Sequence, residues 1–132
     1  MAPDPTQIRQ KGPYCYTYSP FHPPLTTVGV GETVCIHTVD AFENKMTPEV
    51  GRFSDVCTYP FLNPQTGPII VDEAEPGDTL VVKIHSIEPT RAHAVTGLIP
   101  FFGGLTSTRP DPMLQDALEE QFLFLPIGPD GV

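Results

Sequence analysis

The sequence predicts an all-β protein made of short strands joined by ordered turns. The 132 residues include 17 prolines and 11 glycines, whereas proline ordinarily makes up about 5% of a protein. Hydrophobic residues make up 39% of the chain, with 8 Phe and 4 Tyr, so the core-forming residues that disordered chains lack are present. Many turn-forming residues together with enough apolar residues favour short strands in a single folded domain.

Charge and cysteine content exclude several classes of protein. The net charge is −9, from 7 basic and 16 acidic residues without a basic cluster, which argues against a nucleic-acid partner. No apolar run approaches the roughly 20 residues of a membrane span, and the start, "MAPDPTQIRQ", lacks the apolar region of a secretory signal. Three cysteines without a CxxC motif indicate reduced thiols, so we expect a cytoplasmic protein without a membrane partner.

The first half of the chain predicts a polar arm and two strands. Residues 1–13 are polar and proline-rich, and we expect a flexible arm there. "YCYTY" at 14–18 has strand composition. In the strand at 33–39, alternation places Cys35 and His37 on one face. Residues 42–63 form a long irregular stretch, of the kind that often carries function.

The second half begins with turn signals on both sides of a short strand. "NPQTG" at 63–67 is turn chemistry, and "PIIVD" at 68–72 predicts a strand buried on both faces. "EPGD" places Pro76 and Gly77 at the centre of a type II turn. An alternating strand is then predicted over 79–87.

The end of the chain predicts a helix and a last strand. The helix begins within "RPDPMLQDALEEQ", with Asp111 as its N-cap and Pro112 as its first residue. "FLFLPIG" at 122–128 is strongly apolar, and exposed apolar edges associate, so we expect it to pair with a strand of another chain or of missing sequence.

Three stretches resemble the acetamidase/formamidase family. "NPQTGPIIVDEAEPGD" is similar to that family's "N/H-P-x-T-G-P-(I/V)-x-V-x-x-A-x-P-G-D" segment. Upstream, "HPPLTTVGVGETVCIHTVDA" resembles its N-terminal strand, and "TGLIPFFGGL" resembles its "P-x-F-G-x-L" loop. The resemblance covers Phe21 to Leu105, and the block from Gly67 to Asp78 is its specific part.

The resemblance implies a jelly-roll-like β-sandwich over residues 14–132, with one short helix, that hydrolyses short linear amides. Formamide or acetamide would give a carboxylate and ammonia. Family members are typically two or more times as long, and their later "G-D-x-H" and "G-D-G-E" motifs have no match here. The chain therefore resembles the N-terminal portion of a larger sandwich assembly, and we expect either self-association or a partner chain that carries the C-terminal half.

The resemblance also points to candidate site residues. Asp40 matches the acid that ends the family's N-terminal strand and is the candidate catalytic residue. His37 and Asp40 are candidate ligands for a divalent metal such as Zn²⁺. Asn63 and Phe102 stand in the matched motifs and are candidate substrate-binding residues.

Other interpretations of the same residues stay open. Cys35 and His37 share a strand face and form a possible nucleophile and base, although a small buried cysteine is commoner. "CIH" followed by Met46 is a weak hint of a copper site, which lacks a second well-placed histidine. The main alternative to an amide hydrolase is a non-catalytic β-sandwich module for binding or assembly.

Overall fold

The computed structural model describes residues 4–103, 116–129 and 131. Across these residues the protein is all-β with a single short helix, as the sequence predicts, and is consistent with a β-sandwich. The elements are β1 (Thr6–Ile8), β2 (Thr26–Val28), β3 (Val34–Ile36), α1 (Phe53–Val56), β4 (Ile69–Val71), β5 (His93–Leu98) and β6 (Gln121–Pro126).

The described strands form three two-stranded sheets. β1 pairs with β3 in parallel, with Thr6 opposite Val34. β2 pairs with β4 in parallel, whereas β5 and β6 pair antiparallel, with His93 opposite Pro126. Parallel partners need a long connection, and the turn at 29–32 lies in the connections of both parallel pairs.

The residues divide into two compact units, although the sequence predicts one domain. The first unit comprises Met1–Asn44 and Tyr59–Ile84, and the second comprises Lys45–Thr58 and His85–Val132. Ile8 and Leu62 are the buried apolar residues of the first unit, and Met46 and Phe53 are those of the second. Strand β1 lies inside the predicted flexible arm at residues 1–13.

The turn chemistry is confirmed in the signature stretch. Gly77 has a φ of 108°, and the amide of Asp78 donates to the carbonyl of Glu75 at 3.1 Å, as a type II turn requires. Gly67 has a φ of 126°, a backbone conformation that residues other than glycine rarely adopt. Glycine is therefore needed at both positions.

The strand predicted over 79–87 is wrong for the described structure, in which this segment belongs to no strand. Its alternation is real, but a strand forms only where a neighbouring strand supplies backbone partners. The predicted strand at 14–18 likewise reduces to one bridge between Cys15 and Gln65. In β4, Ile70 is 46% exposed, so that strand is not buried on both faces.

The single described helix lies elsewhere than predicted. Residues 116–120 are not helical, and the remainder of the predicted helix, with Asp111 and Pro112, lies outside the described residues. The helix is instead α1, where Glu120 accepts hydrogen bonds from the Ser54 amide at 3.1 Å and its hydroxyl at 3.2 Å. Arg52 Nε lies 4.0 Å from the same carboxylate. These contacts hold the start of a helix too short to be stable alone.

Strand β6 pairs along one edge with β5 of its own chain. The sequence had suggested a partner strand from outside this chain. Among the described residues there is no helix long and apolar enough to span a membrane.

Candidate functional site

Asp40 organises a tight turn that begins four residues after the end of β3. One of its carboxylate oxygens, Oδ1, accepts the amides of Phe42 at 3.0 Å and Asn44 at 2.6 Å. Its own amide donates to Asn44 Oδ1 at 3.1 Å, so Asp40 and Asn44 cap each other's backbone. Glu43 and Asn44 hold φ values of 58° and 59°, a region that costs energy for non-glycine residues unless surrounding contacts support it. The carboxylate of Asp40 is therefore held in one orientation.

Two distant stretches are tied to this turn. The hydroxyl of Tyr16 donates to Glu43 Oε2 at 2.6 Å, and the Tyr16 ring meets Phe61 edge-on, with 5.3 Å between ring centroids. The amide of Asn63 donates to the carbonyl of Ala41 at 2.9 Å. Asn63 thus lies beside the Asp40 turn, and its assignment to substrate binding stays a prediction.

His37 is anchored by its backbone on both sides. Its amide donates to the carbonyl of Ile8 at 2.9 Å, which extends the β1–β3 pairing by one step. Its carbonyl accepts the hydroxyl of Thr66 at 2.8 Å. Thr66 belongs to the "NPQTG" turn, so the specific motif of the sequence holds the strand that carries His37.

The imidazole of His37 contacts Gln7 and Cys35 through one nitrogen. Nε2 lies 2.7 Å from Gln7 Oε1 and 3.8 Å from Cys35 Sγ. Because an amide oxygen only accepts hydrogen bonds, the shorter contact assigns the proton to Nε2. Cys35 then faces a donor nitrogen instead of a base, an arrangement that does not activate a thiol nucleophile.

A groove of about 450 Å³ lies along the same motif in the first unit. Its lining includes Gln65, Thr66 and Gly67 of the motif, together with Cys15 and His22. The His22 ring is held by the carbonyl of Thr17 at 2.9 Å. Thr66 thus both lines the groove and fixes the backbone of His37.

The described residues do not complete a metal site. No group of three or more His, Cys, Asp or Glu side chains is gathered among them. His37 and Asp40 supply two ligands at most, and Oδ1 of Asp40 already accepts two amides. Zn²⁺ sites in proteins use three or four protein ligands, so His37 and Asp40 alone do not fit a bound metal.

Phe102 belongs to the second unit, unlike the other three candidate residues. Its ring is 52% exposed, and its amide donates to the carbonyl of Ile99 at 3.2 Å in a turn that follows β5. An exposed aromatic residue of this kind suits contact with another surface, and its assignment to substrate binding stays a prediction.

Sequence reasoning missed Tyr16 and the role of Thr66. Thr66 stands in the quoted signature motif, so attention to which motif residues carry a hydroxyl would have singled it out. Tyr16 carries no such signal, because its link to Glu43 depends on a contact 27 positions along the chain.

Comparison with known proteins covers most of the chain. The model of the Acetamidase/Formamidase family matches residues 5–121. The crystal structure of acetamidase from Yersinia enterocolitica is similar, with 38% sequence identity and a TM-score of 0.74. That match covers 86% of this chain and 35% of the acetamidase chain, so this chain spans about a third of that protein. Curated proteins yield no match. A family match over residues 5–121, together with this structural likeness, shows that the chain belongs to the acetamidase/formamidase family.

Proposed function

We propose that this chain is the N-terminal portion of an amide hydrolase that converts short linear amides, such as formamide or acetamide, to a carboxylate and ammonia. The observation that carries the proposal is the 38% identity to Yersinia enterocolitica acetamidase over 86% of this chain. Identity of that order within one fold supports shared chemistry, whereas the fold alone does not.

Amide hydrolysis needs an activated water or nucleophile, stabilisation of the oxyanion and a proton for the leaving nitrogen. We assign Asp40 as the acid–base group, because its turn fixes the carboxylate and its position follows a strand end. Positioned groups on rigid elements are what such chemistry requires. Asn63, beside that turn, and Phe102 are assigned to substrate binding.

A divalent metal such as Zn²⁺ belongs to this proposal only with ligands added by the rest of the enzyme. His37 and Asp40 would contribute to such a site, and no step of the reaction is assigned to the metal. Metal analysis of the assembled enzyme tests this, because His37→Ala is expected to lower the bound metal per mole of protein. Equal metal content in the two proteins would remove His37 from the ligands.

Cytoplasmic location is part of the same proposal. Cys15, Cys35 and Cys57 all carry free thiols, which suits a reducing compartment.

The test of function is complementation. The chain is co-expressed with the part of Yersinia enterocolitica acetamidase that lies outside the matched region, here termed the complementing portion. Ammonia release from formamide and acetamide is then measured. We expect hydrolysis by the pair and none by this chain alone.

Asp40→Asn provides the residue-level test within that pair. It keeps an oxygen acceptor for the turn but removes the charge, so activity is expected to fall by about 100-fold, the scale of one acid–base group. Asp78→Asn is the matched control, since Asp78 Oδ2 accepts the amide of Glu75 at 2.9 Å in a turn outside the site. Activity of Asp40→Asn within a few-fold of the control would remove Asp40 from catalysis. Inertness of a well-formed pair toward every amide would favour the non-catalytic assembly module.

A further inference from the structure

The segment at residues 79–87 exposes apolar side chains on both of its faces. Exposure ranges from 67% for Leu80 to 84% for Val81, and Val82, Ile84 and Ile87 fall between these values. In an extended chain, alternate residues point to opposite faces. Leu80, Val82 and Ile84 therefore share one face, while Val81 and Ile87 lie on the other face with Lys83 and His85.

The backbone of the segment is equally unpartnered. Within the described part of the chain, no backbone hydrogen bond reaches residues 79–87, although the amide of Asp78 just before them is bonded. Backbone groups in folded proteins are almost always paired or solvated. The segment also contains the junction of the two compact units, which falls between Ile84 and His85.

One apolar face on an alternating segment is the pattern of a strand that packs on a core, and an interior strand is paired on both edges. An exposed apolar strand of this length is a surface for association. The 79–87 segment therefore matches a strand whose neighbours lie outside the described residues.

A second copy of this chain is a poor neighbour. Antiparallel pairing of the whole segment with itself places Lys83 opposite Lys83 and Asp78 opposite Glu88. Parallel pairing in register places every charge opposite itself. Like charges directly opposite each other destabilise a sheet, and two chains of net charge −9 repel each other as a whole.

The remainder of an acetamidase fold is a suitable neighbour. This chain covers only 35% of the acetamidase from Yersinia enterocolitica while sharing its fold at a TM-score of 0.74, so most of that fold lies outside this match. We propose that the 79–87 segment is an interior β-strand that is completed by strands of the remaining portion of the acetamidase fold. This inference rests on the proposed function, because it takes the amide hydrolase as the assembled state.

The test uses the full chain and the complementing portion, co-expressed and purified as a pair. Hydrogen exchange of amides 79–87 is compared between the chain alone and the pair. We expect exchange to slow by at least about 100-fold in the pair, as interior strands show. Unchanged exchange within a complex of the two chains overturns the proposal.

Three variants separate the segment from the rest of the surface. Val82→Lys places a charge in the interior of the sheet, and Val82→Pro removes a ladder donor, so each is expected to weaken the complex by at least about 100-fold. Val30→Lys is the matched control, since Val30 is 75% exposed and Val82 is 70% exposed. Equal complex formation by Val82→Lys, Val82→Pro and Val30→Lys overturns the proposal.

Failure of this inference is distinguishable from failure of the proposed function. A protected segment in a pair that hydrolyses no amide supports the strand and overturns the function. Hydrolysis of an amide by a pair whose segment stays unprotected supports the function and overturns the strand. Protection of the segment in the chain alone, together with a dimeric mass by light scattering, identifies a second copy as the neighbour and overturns the proposal.

Discussion

Tyr16 and Glu43 show how single side chains connect distant parts of the first unit. The 2.6 Å hydrogen bond between them joins the bridge region near Cys15 to the turn that Asp40 organises. A hydrogen bond to a charged group is stronger than one between neutral groups, and part burial limits competition from water.

Tyr16→Phe is expected to lower the free energy of unfolding by about 1–2 kcal/mol, because the Glu43 carboxylate loses one hydrogen-bond donor while the ring contact with Phe61 is kept. Urea denaturation measures the change. Tyr18→Phe is the matched control, since Tyr18 is 94% exposed, and no change is expected there. Equal stability of the two variants would show that the Tyr16 hydroxyl contributes nothing to the turn.

Glu32 is a second carboxylate that links separate parts of the first unit by hydrogen bonds. The amide of Gly29 donates to Glu32 Oε2 at 2.9 Å and the hydroxyl of Thr6 donates to Oε1 at 2.9 Å. The pKa of Glu32 is lowered from its ordinary value, chiefly by the hydrogen bond from Gly29 and next by the one from Thr6. Both bonds favour the ionised form.

A lowered pKa in the folded state fixes the sign of the pH dependence. The ionised form is preferred by the folded protein, so its contribution is fully present above the glutamate pKa of the unfolded chain, about 4.3. It is lost as the pH falls through the lower pKa of the folded state. Glu32→Gln is therefore expected to lower the urea midpoint at pH 7 and to lower it less at pH 3. Glu88→Gln, in an exposed position, is the control, and a pH-independent effect of Glu32→Gln would contradict this account.

At the scale of an element, the antiparallel pair of β5 and β6 contains close contacts between its two strands. The ring of Phe122 lies directly over Gly97, where a Cβ would collide with it and would approach the carbonyl oxygen of Gln121 to 2.9 Å. The ring of His93, also in β5, contacts the ring of Phe124 edge-on, with 5.7 Å between the ring centroids. Phe122 and Phe124 of β6 thus pack against Gly97 and His93 of β5, respectively.

Gly97→Ala is expected to lower the free energy of unfolding by about 1–3 kcal/mol, because overfilling a tight contact shifts both side chain and backbone. Thermal unfolding followed by circular dichroism reports the loss. Gly51→Ala, where a Cβ meets nothing within 4 Å, is expected to leave stability unchanged or slightly raised. A neutral effect at Gly97 would mean that Phe122 moves aside without cost.

At the scale of the whole molecule, the 79–87 segment, which contains the boundary between the two units, is exposed and has no backbone hydrogen bond among the described residues. Trypsin cuts after Lys and Arg, and Lys83 lies in that junction, whereas Arg52 lies 4.0 Å from Glu120 beside α1. Proteolysis requires local backbone freedom.

We expect limited trypsin digestion of the chain to cut after Lys83 before it cuts after Arg52. Mass spectrometry identifies the fragments, and Lys83→Gln should abolish that early cleavage. The complementing portion should slow it in the wild-type chain. Early cleavage after Arg52 with an intact 79–87 segment would contradict the structure of this junction.

Sequence reasoning predicted several strands that pair within the described residues, missed β1 and α1, and predicted at 79–87 a strand that finds no partner among the described residues. β3 and β4 and the Gly77 turn follow from local patterns that the fold satisfies internally. The 79–87 segment has an equally clear pattern, but pairing is a property of two strands. For the site, a motif pointed to Asp40, while the contacts made by Tyr16 and Thr66 depend on long-range folding.

The pairing of β1 with β3 and of β2 with β4 has a consequence for the order of events during synthesis. The two pairs interleave along the chain, and β2 finds its partner only at Ile69–Val71. A nascent chain that has not reached Val71 can join β1 to β3 but leaves β2 single. Non-local parallel pairings of this kind are slow to form, so the first unit is expected to close late, after most of its residues have left the ribosome.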